Sequence, residues 1–357
     1  MADARDSIDE AVVDLVRVSA WMDERGIEDG PLTHVERLAG GTQNILLRFR
    51  RGARAFVLRR PPPHKRANSD ETMRREARVL AALAGSDVPH PALIAAEPDE
   101  SVIGAAFYLM EPVDGYNVTL GLPPAFADDP AAQREMGLSM ADAIAALARI
   151  DPVASGLGDF GRWGGWGERQ VQRWRRQLDS YSDLDGYPGP DIPGVEEVGV
   201  WLEANRPTDL RPGIIHGDFH FANVLIHPTE PRVTAIVDWE LATIGDPLLD
   251  LGHLLACWPS RDRGQDTPVA AADLPTIDDV VDRYAVNSDR DLSSLPWFRV
   301  LACYRLGLIL EGTHARAFAG LAPRETGDQL HATTLMLFAQ ATDLIEERAA
   351  DPTGSRK

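Results

Sequence analysis

The chain is poor in the residues that would place it in several common classes. Cysteine occurs twice in 357 residues, at Cys257 and Cys303, each inside an apolar stretch and neither in a C-x-x-C pair. A disulfide framework or a cysteine-based zinc site is therefore not expected, and two reduced, buried thiols are. There is no run of about 18 apolar residues, so no membrane-spanning helix is expected. The opening residues, MADARDSIDEAVVDLV, are acidic and polar before they turn amphipathic. That is not the pattern of a secretory signal, and a cytoplasmic protein is expected. Basic charge is also scarce, with 36 basic against 55 acidic residues and a net charge of −19. A nucleic-acid binder needs a positive footprint to displace counterions, so that class is set aside. The acidity serves solubility and is equally compatible with a cationic substrate. Lysine is as rare as cysteine: only Lys65 and Lys357 occur, and the other basic residues are arginines.

What is present suits a soluble globular chain, with 44% hydrophobic and 25% charged residues. The length is enough for one large or two medium domains, each with a substantial core. Residues 8 to 24 have helical periodicity, with Val12, Leu15 and Val16 on one side. From His34 to Arg60 apolar and polar residues alternate around turn signals at Gly40–Gly41 and Arg51–Gly52. This predicts three short antiparallel strands, closed by Pro61–Pro62–Pro63. ETMRREARVLAALAG, ending at Gly85, reads as a helix, and SVIGAAFYLMEPVDG (101–115) as two further strands and a turn. The rest is mostly helical in pattern (247–257, 278–285, 297–318 and 326–348), with a β-rich island at 213–239 and loops at 121–132 and 183–195. The expectation is an α+β chain with a small antiparallel β lobe and a larger, mostly helical lobe.

The chemistry concentrates in His216-Gly217-Asp218-Phe219-His220-Phe221-Ala222-Asn223, followed by Asp238-Trp239-Glu240. Phosphoryl transfer needs a carboxylate to orient the acceptor hydroxyl and take its proton, and oxygen ligands to hold Mg2+ on the nucleotide phosphates. An Asp followed five residues later by an Asn, on a loop between a helix and a short hairpin, can bring both to one cleft. The return strand of that hairpin, VTAIVD, delivers the second Asp. The spacing H-x-D-x4-N is that of the protein-kinase catalytic loop, and Asp238 stands where D-F-G has its Asp. Asp246 follows Asp238 by only eight positions and no A-P-E follows, which leaves no activation segment for a protein kinase.

HGDFHFANVLI and VTAIVDWELATIGDPLLDLG together resemble the aminoglycoside phosphotransferase and choline kinase superfamily over roughly residues 30 to 320. DWELATIGDPLLDLG, FVLRRPPP and GERQVQRW are most similar to a subfamily whose kinase-like domain is fused in some eukaryotes to acyl-CoA dehydrogenases. The resemblance implies a protein-kinase-like two-lobed fold, with a nucleotide-binding lobe over 1–113 (1–30 a helical extension) and a helical lobe over 114–357. It implies an ATP- and Mg2+-dependent kinase acting on a small-molecule hydroxyl, with Asp218 as base and Asn223 and Asp238 as metal ligands. Glu240 would support a second metal or its waters. Asp246 and Asp250 would brace the catalytic loop, and His216 would fix it from within.

One departure stands out. Kinases carry a lysine on the third strand, paired with a helix glutamate, and here Phe56-Val57-Leu58-Arg59 occupies that place. Strand alternation puts Val57 and Arg59 on one face, so Val57 is expected on the adenine and Arg59 on the phosphates with Glu76 as partner, and Arg60 is the rival on the other face. The turn at Gly40–Gly41 would bring backbone N–H groups and the Thr42 hydroxyl over the phosphates. Phe107 to Val113 matches the interlobe hinge, with Met110 behind the adenine and the Glu111 carbonyl and Val113 N–H contacting it. A non-catalytic nucleotide-binding module is the alternative that the missing lysine suggests.

Two regions could wall the acceptor site. One holds Trp163, Trp166, Arg169, Arg173 and Trp174, the last at core-like helical spacing; the other holds Tyr304, Glu311 and His314. A cationic aminoglycoside or amino alcohol would need carboxylates such as Glu311 in the cleft. An anionic acceptor, such as a hydroxyacyl-CoA, would need Arg169 and Arg173 there.

Overall fold

The computed structural model describes residues 13–38, 44–260, 267–270 and 272–350. Alternation in the N-terminal region produces a five-stranded antiparallel sheet. Its strands are β1 (Leu32–Arg37), β2 (Ile45–Arg51), β3 (Arg54–Arg60), β4 (Leu93–Glu97) and β5 (Phe107–Met110), in the order β1-β2-β3-β5-β4. One face presents Leu47, Phe49, Phe56, Leu58, Phe107 and Leu109 to the helix α1 (Leu15–Glu24), which contributes Val18, Trp21 and Met22. Asp14 caps that helix by accepting from the Arg17 N–H. The other face presents Val57, Tyr108 and Met110 to Met73, Ala77 and Leu80 of the helix α2 (Ser69–Leu83), and this core continues into the rest of the chain. Deleting a ring such as fully buried Phe56 would cost about 3–5 kcal/mol.

The fourth strand is not where residues 101–115 suggested. Residues around Gly104, which takes φ +75° and donates to the Glu100 carbonyl, form a turn, so that segment supplies β5 alone. The strand expected beside it lies earlier, at Leu93–Glu97.

Beyond the sheet come α3 (Pro130–Ala148), α4 (Trp166–Asp179), α5 (Val195–Ala204), α6 (Leu248–Ala256), α7 (Ile277–Asn287), α8 (Leu295–Phe318) and α9 (Arg324–Ala350). Asp129 caps α3 ahead of Pro130, and Thr276 with Asp279 forms a capping box on α7. Between α5 and α6 lie two small antiparallel pairs: β6 (Gly213–Ile215) with β9 (Thr243–Gly245), and β7 (Val224–Ile226) with β8 (Val233–Ile236). The loop 216–223 therefore leaves a strand, β6, and not a helix as expected. Among the described residues no helix is long and apolar enough to cross a membrane.

Candidate active site

The loop 216–223 is fixed by backbone bonds to buried carboxylates. Asp250, on α6, accepts from the N–H groups of His216 (2.7 Å) and Gly217 (2.8 Å). Burial pushes its carboxyl up to about 6, against the pull of those two donors. Asp246 accepts from the N–H groups of Arg211 and Leu248, and so anchors the chain entering β6 and the start of α6. His216 is wholly buried; its Nε2 faces the Val237 carbonyl at 2.9 Å and its Nδ1 accepts from the Asp218 N–H. Burial lowers its pKa to about 4, so it is neutral at pH 7 and serves to hold the loop. Gly217 takes φ +83°, and a Cβ there would lie 2.7 Å from the Leu241 carbonyl oxygen.

That scaffold presents the Asp218 side chain, which is one-third exposed. Asn223 Nδ2 donates to the Asp218 carbonyl (2.8 Å) and to its Oδ2 (3.0 Å). His253 Nε2 lies 3.2 Å from Oδ1, and His220 Nε2 3.5 Å from Oδ2. Burial would raise the carboxyl, but the hydrogen bonds from His220 and His253 outweigh it and hold Asp218 well below the usual carboxylate range. An ionised carboxylate is what a proton acceptor requires.

The second carboxylate is carried on strained backbone. Asp238 takes φ +66°, rare for a residue with a Cβ, two residues beyond the end of β8. The Val237 N–H donates to the Asn223 carbonyl at 2.9 Å, which joins the Asp238 turn to the loop 216–223. Arg59 Nη2 donates to Asp238 Oδ1 (2.7 Å) and to Glu76 Oε1 (3.0 Å), and its Nε lies 2.9 Å from Glu76 Oε2. The Tyr108 hydroxyl completes the shell of Glu76 at 2.7 Å. Burial opposes the charge on Arg59, but Glu76, Tyr108 and Asp238 outweigh it and raise its pKa. Burial and the Glu76 carboxylate keep the Tyr108 phenol protonated, as a donor. Arg60 points the other way, with its Nε donating to the Pro61 carbonyl. Glu240 sits close by, and burial with Asp238 and Glu76 raises it to about 6.

The sequence profile of the phosphotransferase enzyme family matches residues 34–284. The chain belongs to that family. A Ralstonia eutropha structure provisionally named an aminoglycoside phosphotransferase is 30% identical, with a TM-score of 0.76 over 93% of this chain and 99% of that one. Acyl-CoA dehydrogenase family member 11 of Gallus gallus is 32% identical over 307 residues, which is 83% of this chain and 38% of the relative. The chain thus spans under half the length of that curated relative. A thermostable mutant of aminoglycoside phosphotransferase APH(4)-Ia, crystallised with AMP-PNP and hygromycin B, shares the kinase-like fold at 16% identity, with a TM-score of 0.55 over 92% of this chain and 98% of that one.

Within this phosphotransferase, Val57 and Met110 are paired across β3 and β5 and both are buried. Glu111 follows β5; its N–H donates to the Ala92 carbonyl and its exposed side chain meets Arg54, while Val113 is half-buried. Thr42 lies outside the described residues.

The acceptor-side expectations divide. A cavity of about 470 Å3 opens beside Gly217 and Glu240 and is lined by Trp166, Arg173 and Trp174 from α4, Arg75 from α2 and Arg305 from α8. Trp163 instead lines a separate cavity with Arg211 and Arg290, stacking on Trp166 at 6.0 Å. Arg169 is turned onto its own loop, donating to the Gly164 and Arg162 carbonyls, and does not line the cleft. Tyr304 and Glu311 are corrected outright. Both are completely buried, Tyr304 against Phe338 and Glu311 between Tyr187 and His331, and neither lines the cleft.

Three contributors went unassigned in the sequence: His253, Arg75 and Arg305. His253 stands three residues after Asp250, so both polar side chains occupy one face of an otherwise apolar helix, and that i,i+3 pair was the available signal. Arg75 stacks on Phe160 at 3.9 Å and donates to the Phe160 and Ala242 carbonyls. Arg305 is buried beside Trp174, with its Nη1 lacking a hydrogen bond.

Proposed function

We propose that this phosphotransferase moves the γ-phosphoryl group of ATP to the hydroxyl of a small molecule, with Asp218 orienting that hydroxyl and accepting its proton. The observation that carries the reading is the ionised Asp218, held by Asn223 on a loop that is itself tied to Asp238. The carboxylates of Asp238, Glu240 and Glu76 gather within 4.8 Å of one another, a hard-oxygen set that fits Mg2+, and Asn223, whose backbone carbonyl ties its loop to the Asp238 turn, is taken as a further ligand. When bound there, Mg2+ would neutralise phosphate charge. Arg59, oriented by Glu76, supplies the fixed positive charge that a lysine supplies elsewhere, and Val57 and Met110 offer the apolar seat for the base. The nucleotide lobe is taken to end at Val113, where the chain crosses to the helical lobe.

The acceptor read from the cleft is anionic. Arg75, Arg173 and Arg305 edge the cavity and Glu240 is the one carboxylate among its lining residues, an arrangement that repels a polycationic aminoglycoside. A hydroxyacyl-CoA satisfies both demands, bringing a hydroxyl and several phosphates, and the acyl-CoA dehydrogenase relatives share this part of the chain.

The test is ATP consumption with Mg2+ over hydroxyacyl-CoAs, aminoglycosides, amino alcohols and sugars, with Asp218→Ala as blank. Turnover with the hydroxyacyl-CoAs, weakened about tenfold in KM by Arg173→Ala with the KM for ATP unchanged, is expected. Asp218→Ala should lose turnover while still binding Mg·ATP, and Asp238→Ala should lose the Mg2+-dependent binding. Activity with an aminoglycoside, indifferent to Arg173, would overturn the acceptor. Undiminished turnover in Asp218→Ala would overturn the base.

A further inference from the structure

Glu311, removed from the cleft by the structure, belongs to a second constellation of side chains. It lies three residues before His314 on α8, and Asp328 lies three residues before His331 on α9. Residues three apart share a helix face, and the short link 319–323 folds α9 back along α8. The two pairs, E-x-x-H and D-x-x-H, therefore meet. Ligand atoms of Glu311, His314 and His331 all lie within 4.8 Å of one another. The imidazoles stack at 4.3 Å with planes 18° apart. Glu311 has no exposed surface, with Tyr187 donating to its Oε1 at 2.6 Å and His331 Nδ1 at 2.7 Å from its Oε2. His314 is 8% exposed, and its buried Nδ1 has no hydrogen bond; Asp328 Oδ1 is 3.5 Å away, beyond good bonding geometry.

A buried imidazole nitrogen without a hydrogen bond, 3.5 Å from the Asp328 carboxylate and on a ring whose ligand atom gathers with those of Glu311 and His331, leaves a coordination shell open to an ion. Two helices each giving a carboxylate and a histidine at i,i+3 is how bundles build metal centres. We propose that Glu311, His314 and His331, with Asp328 at the rim, bind one divalent transition ion of the Zn2+ or Co2+ type and clamp α8 to α9. Nitrogen ligands favour such ions over Mg2+, which keeps to oxygen. The ion takes the place of the proton between His331 Nδ1 and Glu311; that proton leaves to solvent, so affinity falls as pH falls. None of the four residues lines the arginine-edged cleft, so the site is structural and independent of the kinase reading.

The experiment uses the full chain, stripped with EDTA, given Zn2+, gel-filtered and assayed for metal by mass spectrometry. Co2+ serves as the optical probe of four-coordinate geometry. One retained zinc per chain and a Tm raised by several degrees are expected. His331→Gln keeps a hydrogen bond to Glu311 at a half-buried position, so it should fold as the apo protein does, bind zinc at least about tenfold more weakly and lose the Tm increase. His314→Gln should do the same. No zinc retained by the unmodified chain would overturn the site and leave Glu311 as the centre of a hydrogen-bonded relay. Zinc that survives His331→Gln but is lost in His220→Gln would move the ion to the Asp218 loop, and would equally overturn it.

Discussion

Removing Arg59 should cost more than any single contact it makes, and the excess should vanish when Glu76 is neutralised. Glu76 has no exposed surface and Arg59 is 7% exposed, so neither can turn to water when the other is removed. Arg59→Met leaves the Glu76 carboxylate buried with only the Tyr108 hydroxyl as donor, a loss of about 3–5 kcal/mol. Glu76→Gln keeps an acceptor for Tyr108, and Arg59 keeps the partly exposed Asp238, so about 2 kcal/mol is expected. The double variant has no uncompensated buried charge and should lie within about 1 kcal/mol of the milder single variant, a coupling of roughly 3–5 kcal/mol. Urea unfolding followed by tryptophan fluorescence measures all three differences, with Trp21 packed in the sheet core as one reporter. The reasoning is refuted if Arg59→Met costs under about 1 kcal/mol, or if the single effects add to within about 0.5 kcal/mol in the double variant.

Two further outcomes follow from the catalytic loop. His216 has its pKa lowered from 6.5 to about 4 by burial; the unfolded chain therefore binds the extra proton first, and the stabilisation, full above pH 6.5, is lost as pH falls toward 4. About 3 kcal/mol is at stake, and His216→Asn, which retains a donor and an acceptor, should flatten the stability–pH curve in that window; an unchanged slope would show that His216 is not the titrating group. Gly217→Ala forces a Cβ to 2.7 Å from the Leu241 carbonyl at a positive φ, so about 1–3 kcal/mol of stability and most of the turnover should be lost together; a fully active, stable variant would mean the loop is free to shift.

The parts of the site that could be read from the sequence are those whose geometry is local. Asp218 and Asn223 are five residues apart on one loop, and the β8 pattern runs straight into Asp238, so their meeting needed no tertiary information. The alternation of β3 likewise puts Val57 and Arg59 on one face and Phe56 and Leu58 on the other, and the two core clusters divide Val57 from Phe56 and Leu58 accordingly. On α8 the same method had nothing to grip. That helix is buried nearly all round, so its apolar periodicity cannot say which face meets the cleft. Tyr304 is one of the residues the sequence offers for the cleft wall, but its neighbour Arg305, about 100° further round the helix, is the one that lines the cavity. Glu311 was turned away by the same rotation. The strand Leu93–Glu97 escaped notice for another reason: Leu-Ile-Ala-Ala-Glu has modest strand propensity, and it is held by pairing with β5 at the edge of the sheet.

The arginine at position 59 is better understood as a bridge than as a substitute. A lysine presents one nitrogen on a flexible stem, whereas a guanidinium presents five donors in a fixed plane. Here one edge of that plane lies along Glu76 on α2, and the Nη2 nitrogen reaches on to Asp238 beyond β8. Three separate pieces of chain, the sheet, α2 and the Asp238 turn, are thereby joined at a single group. Asp238 sits in a left-handed conformation that costs about 1–3 kcal/mol, and a charged hydrogen bond of about 1.5–3 kcal/mol is of the size needed to offset it. In a protein with almost no lysine, the strained carboxylate and the arginine therefore stabilise one another before any nucleotide arrives. On the function proposed above, phosphates entering the cleft would meet a cation already aligned by two carboxylates, so little ordering would remain to be done on binding.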